Sequence, residues 1–307
     1  MNFLQTMPAG QLSRRQFAAT AAAGSLATAC RSRAALGSAA RDSKLQLSLA
    51  AYSMRKFLRA KPGSPGAMDM QGFVDYCRQL KLDGAELTSY FFPKQITEDY
   101  LQQLKKRVRD AGLIVSGGAI GNNYTLAAGP KLDEQIEHTR TWIRYYSKLG
   151  APVIRVFAGK PPAGVTEGEA ITRCVPVLEQ MSEEAGKQGI KLALENHDFT
   201  TDIKRMMAIV KAVKSKWFGV NFDSGNFHSD DPYRDMETIA PYAINAQIKT
   251  EIRRAGRQKE ESDLPRVIKI LRGAGYASWI VLEYEAAADP YRAIPQYIDK
   301  LRKVVAG

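Results

Sequence analysis

Cysteine is scarce: Cys30, Cys77 and Cys174 are all there is in 307 residues, and no two form a C-x-x-C pair. The chain therefore shows no sign of a disulfide framework. Cys77 and Cys174 fall far apart within helical patterns, where they read as buried small apolar residues. Phosphate-cradling glycine loops are missing too, and no G-x-G-x-x-G turn follows the first strand-like segment. That weakens a doubly wound open sheet as the architecture. Long hydrophobic runs are absent, apart from an N-terminal stretch too short and alanine-rich for a stable membrane span. There is no recognisable nucleic-acid motif, and basic and aromatic residues do not interleave.

The net charge is nevertheless +12. Five of those charges are Arg14, Arg15, Arg31, Arg33 and Arg41, in a segment without a single acid; the remaining +7 is spread along helices. A solvated basic surface explains it without a nucleic-acid partner. Ser13-Arg14-Arg15-Gln16-Phe17 precedes the small-residue stretch Ala18 to Ala29. A twin arginine in that position resembles a leader of the twin-arginine export pathway, with Ala27-Thr28-Ala29 as an A-x-A cleavage site. Residues 1–41 are thus expected to be leader and linker, and the protein to be exported to the periplasm. Cys30 offers lipid anchoring as an alternative, although Leu26 stands one place too far upstream for it.

From residue 42 onward the chain alternates short apolar segments with amphipathic helical patterns. Strands are expected at 45–51, 84–87, 113–120 and 153–157, and then in KLALE, FGVNFD, YAINAQIK and WIVLE. Helices are expected at 70–80, 97–112, 132–149, 166–188, 203–213, 231–240, 264–273 and 291–305. Eight strand–helix units of this length and rhythm predict one (β/α)8 barrel spanning 42–307.

The last four strands share a second property, for each ends in a polar side chain able to bind a metal. Glu195 closes KLALENH, Asp223 closes FGVNFD, Gln247 lies in AINAQIKTE, and Glu283 lies in VLEYE. A barrel brings strand ends together on one face, so these four should share a pocket. Three carboxylates repel unless a cation sits among them. Oxygen donors of this kind suit Mn²⁺, Mg²⁺ or Co²⁺ better than a structural zinc, with Mn²⁺ preferred here.

The segments LALENH, NFDSGN, AQIKTE and VLEYE, in that order and after a first strand ending YSMR, resemble the xylose isomerase-like superfamily of sugar isomerases and epimerases. That group includes the ketose 3-epimerases and inosose dehydratase. The resemblance runs from about Leu45 to the C-terminus. It implies a TIM barrel, a divalent ion held by Glu195, Asp223, Gln247 and Glu283, and an unphosphorylated sugar or keto-sugar as substrate. Gln247 departs from the pattern, standing where histidine is usual. The implied chemistry is enediolate formation, with Glu195 and Glu283 as the acid–base pair and Lys249 stabilising negative charge.

Lys249 could instead pair with Glu251 or a ligand carboxylate. His197, Arg155, Asn226, His228, Glu86 and Tyr52 are candidates for substrate contact or support, with Glu86 alternatively pairing Arg155. Phe91, Phe92, Phe157 and Tyr284 could add apolar ring contacts. The same enolate would also serve a lyase or hydratase acting on a 3-keto-glycoside or inosose. A non-catalytic sugar-binding barrel is the reading from another class, though binding alone needs no opposed carboxylates. Self-association into a homo-oligomer is left open by the sequence.

Overall fold

The computed structural model describes residues 45–306. The leader, its cleavage site and Cys30 lie outside the described residues. Eight parallel strands close into a barrel: β1 (Gln46–Ala50), β2 (Gly84–Thr88), β3 (Ile114–Ala119), β4 (Val153–Val156), β5 (Lys191–Glu195), β6 (Phe218–Asp223), β7 (Ala243–Ile248) and β10 (Trp279–Leu282). Between the last two, β8 (Glu251–Arg253) and β9 (Lys259–Glu261) form a separate antiparallel hairpin. β10 pairs with both β1 and β7, which closes the circle.

Helices form where the sequence supplies caps as well as an apolar stripe. After a one-turn helix α1 (Arg55–Leu58), α2 (Met70–Gln79) begins at Asp69, whose carboxylate accepts from Gly72 N. In α3 (Glu98–Asp110) the Thr97 hydroxyl does the same for Tyr100 N. The helix α4 (Pro130–Leu149) starts on a proline, and α5 (Glu167–Gly186) on a capping box between Thr166 and Glu169. Asp202 caps α6 (Ile203–Ala212), α7 (Pro232–Ile239) again opens on proline, and Asp263 caps α8 (Leu264–Gly273). The chain's last helix is α9 (Pro290–Ala306). Each cap satisfies amide protons that a helix start otherwise leaves free. Among the described residues no helix is long and apolar enough to cross a membrane.

Period-two alternation divides each strand between two environments. Leu47, Leu49, Leu87, Ile154, Val156, Leu192, Leu194, Val220, Phe222, Ile248, Ile280 and Leu282 are buried beneath the helices, and this shell is the apolar core. Cys77 and Cys174 belong to it as free thiols, as expected. The alternate residues enter the lumen, which is unusually polar. Ser48 and Ser116 share a 2.6 Å hydrogen bond across β2, and Glu86, Arg155, Glu195, Asn221, Asp223, Asn245, Gln247, Lys249 and Glu283 are all buried. A barrel of this kind normally fills with branched apolar side chains.

Helix α4 approaches the barrel closely at Gly118, where any Cβ would overlap the Tyr146 ring. The Tyr146 hydroxyl donates to Leu87 O, and it accepts from Ala119 N at 3.2 Å, tying α4 to β2 and β3. Gly118→Ala is expected to lower the unfolding free energy by ~2 kcal/mol through forced displacement of that ring. Urea denaturation followed by circular dichroism reads this directly, with the denaturant slope unchanged.

Candidate active site

The lumen is built in two connected parts. Deeper in, Glu86 accepts from Gln247 Nε2 at 2.7 Å and from Asn245 Nδ2 at 3.1 Å. Gln247 Oε1 accepts in turn from Asn221 Nδ2 at 2.7 Å, and Asn221 Oδ1 from Asn245 at 2.8 Å. β2 and β7 are not neighbours in the sheet, so these bonds cross the barrel interior. Register shifts fall at Ala85/Glu86 and at Val220/Asn221, beside two members of this network. Such irregularities re-aim side chains, here toward a shared set of partners. Burial and, after it, the charge of Glu283 push the Glu86 carboxyl up to about 7, against the Gln247 hydrogen bond.

Nearer the C-terminal ends of the strands lies the charged part. Lys249 Nζ donates to Glu283 Oε2, lies 2.7 Å from Glu285 Oε2 and stands 3.4 Å from Asp223 Oδ2. Asp223 Oδ1 accepts from Gly225 N at 2.8 Å, while its Oδ2 has no hydrogen-bond donor. Opposite, Arg155 Nε is 2.8 Å from Glu195 Oε2, both side chains being about 4% exposed. Glu195 Oε1 accepts from Asn226 Nδ2 at 2.9 Å. Burial raises the carboxyls of Glu195 and Asp223, with Arg155 opposing it at the first and Lys249 at the second. The lysine itself is held well above its ordinary value, because the surrounding carboxylates outweigh its desolvation.

Eight residues singled out from the sequence thus meet in one lumen: Glu86, Arg155, Glu195, Asp223, Asn226, Gln247, Lys249 and Glu283. Of the alternatives open in the sequence, Lys249 takes the ligand carboxylates Asp223 and Glu283 and leaves Glu251 to Lys259 at 3.2 Å, whereas Glu86 binds the amides rather than Arg155, which takes Glu195. His197 rests on the Phe157 ring, centroids 4.4 Å apart, with Nδ1 3.3 Å from Asp198 Oδ2. Arg155 lies over the same ring. The exposed His228 borders a small cavity with Lys249, Glu285 and the β8–β9 hairpin. Tyr52 is half-buried, edge-on to Tyr90 and beside Phe91. Phe92 and Tyr284 serve packing, against Trp142 and Tyr297 respectively.

Residues not anticipated include Glu285, Asn221, Asn245 and Tyr90, whose hydroxyl is 3.3 Å from Arg155 Nη1. The first three were discoverable, because each continues the period-two alternation of an inward residue already chosen.

The donor set does not fit a divalent ion in this arrangement. The Gln247 oxygen is engaged by Asn221, Glu195 is engaged by Arg155, and Lys249 stands between Asp223 and Glu283.

Comparison with known proteins places the fold. A D-psicose 3-epimerase from Clostridium cellulolyticum H10 superposes with a TM-score of 0.68 at 13% identity, covering 85% of this chain and 99% of its own. The E. coli 3-keto-D-glucoside 4-epimerase gives 0.67 at 13% identity, covering 85% and 100%. An IolI protein, whose own structure carries a zinc atom, gives 0.68 at 16% identity, covering 85% and 96%. No curated protein sequence matches. At such identities these structures speak for the fold alone. The family model for the xylose isomerase-like TIM barrel matches residues 74–304, three quarters of the sequence, and the chain belongs to that family.

Proposed function

We propose that the protein is a sugar isomerase or epimerase that moves a proton at a carbon beside a carbonyl, on an unphosphorylated keto-sugar. The observation that carries this reading is the pair Glu195 and Glu283. Two buried carboxylates stand in one lumen, each held by its own cation, Arg155 and Lys249. A binding pocket gains nothing from burying such a pair, whereas proton transfer on two faces of one carbon needs it. One carboxylate takes the proton, and the C–H electron pair becomes the enediolate double bond as the carbonyl π pair moves to oxygen. The Lys249 ammonium, the buried cation nearest Asp223 and Glu283, is suited to hydrogen-bond that oxygen. The opposite carboxyl then returns a proton to the other face.

No phosphate-cradling glycine loop is apparent in the sequence, and none of the strand-end motifs supplies one. That supports an unphosphorylated substrate. The names of two neighbours, a ketose 3-epimerase and a 3-keto-glucoside 4-epimerase, support ketoses and keto-glycosides as the classes to test. The twin arginine and A-x-A site favour action outside the cytoplasm.

The test is incubation of purified protein in D₂O with a panel of ketoses and 3-keto-glycosides, followed by NMR. Deuterium is expected at a carbon next to the carbonyl. Glu195→Gln and Glu283→Gln should each slow exchange ~10²- to 10⁴-fold while keeping the parent's circular dichroism. Loss of a β-oxygen in the product would make the protein a lyase, and saturable binding with no exchange would make it a sugar-binding barrel.

Arg155 should matter to both stability and exchange. Arg155→Met leaves Glu195 buried without its cation, and is expected to lower the unfolding free energy by about 3 kcal/mol. Urea titration measures the first effect, and the D₂O assay the second.

A further inference from the structure

We infer that Lys249 is a built-in substitute for a divalent cation: its ammonium stands where an ion would have to bridge Asp223 and Glu283, so the folded protein takes up no such ion there. The inference concerns ion binding and stands apart from the choice of substrate.

Three carboxylates surround Nζ. Glu283 Oε2 accepts from it directly, Glu285 Oε2 is 2.7 Å away and Asp223 Oδ2 is 3.4 Å away. A hard divalent ion binds oxygens at about 2.0–2.6 Å. An ion reaching both Asp223 Oδ2 and Glu283 Oε2 would therefore enter the contact radius of the ammonium, where like charges repel.

The lysine has little freedom to withdraw. Its backbone N donates to Ser224 Oγ at 2.8 Å, and its stem lies against Gly225, where any Cβ would press on the Lys249 Cβ and Cγ. Gly225 also fixes Asp223 through its own N–H. A single Ser224-Gly225 step thus holds both the cation and one of its carboxylates.

The remaining candidate ligands are engaged elsewhere. Gln247 joins Asn221 to Glu86 through both ends of its amide. The amide cannot simply rotate, because its oxygen would then face the Glu86 carboxylate. Glu195 is paired with Arg155 and bonded by Asn226. The carboxylates that would call for an external ion are therefore provided with cations by the chain itself.

The experiment measures metal content by elemental analysis, and melting temperature with EDTA, Mn²⁺ or Zn²⁺, for the full-length protein and for Lys249→Met. The wild type should carry substoichiometric metal, and its melting should not respond to EDTA or to either ion. Lys249→Met keeps the stem but frees Asp223, Glu283 and Glu285 from the ammonium. It should melt lower than the wild type without metal, bind one Mn²⁺ or Zn²⁺ per chain and melt higher when loaded. One tightly held ion per wild-type chain, with melting lowered by EDTA, would overturn the inference. So would a folded Lys249→Met that ignores both ions. Should that variant fail to fold, the wild-type measurements decide alone. Neither arm uses a sugar, so failure here is separable from failure of the proposed isomerisation.

Discussion

The constraint on which the rest depends is charge balance inside the barrel. Glu86, Glu195, Asp223 and Glu283 are all buried in one lumen, with Glu285 close by. A desolvated carboxylate without a cation or donors costs several kcal/mol. Lys249 and Arg155 supply the cations, and the amides of Asn221, Asn245, Gln247 and Asn226 supply donors. Each group is tolerable only because the others are present. Such a network is high-stakes, since a half-satisfied version is worse than an apolar core.

The apolar shell carries the stability that this interior does not. Alternation gives the barrel strands an outward set of Leu, Val, Ile and Phe buried beneath the helices, except in β3, where Gly118 lies under α4. The inward set is thereby released from packing duty and free to be chemical. Where backbone and side chain must come close, glycine makes room: at Gly118 for the Tyr146 ring, and at Gly225 for the Lys249 stem. The first contact seats a helix on the barrel, and the second seats the central cation.

Most of the fold was legible because it is written in local terms. Strand periodicity, helix caps and strand-terminal acids all depend on near neighbours in sequence, so the eight-unit barrel and its polar strand ends followed. The β8–β9 hairpin did not, because its three-residue strands are largely exposed and charged and carry no apolar alternation. Pairings inside the lumen were not legible either. Arg155 could as well have met Glu86 as Glu195, and only strand tilt and register decide it. Glu285 was within reach, for it repeats Glu283 at the strand period.

Positions 247 and 249 show how tightly two such choices are linked. They sit one period apart on the same chain segment and therefore point into the same lumen. At 247 an amide, unlike a carboxylate, can donate to Glu86 and accept from Asn221 at once, so it fits a network that has a carboxylate on one side and a donor on the other. It brings no charge, however, and so does nothing for Asp223 and Glu283 nearby. A cation must then come from elsewhere, and Lys249 delivers one two residues later, on the same face. The neutral residue and the charged one are thus complementary halves of a single electrostatic arrangement, in which the chain itself neutralises the acids that its strand ends bring together.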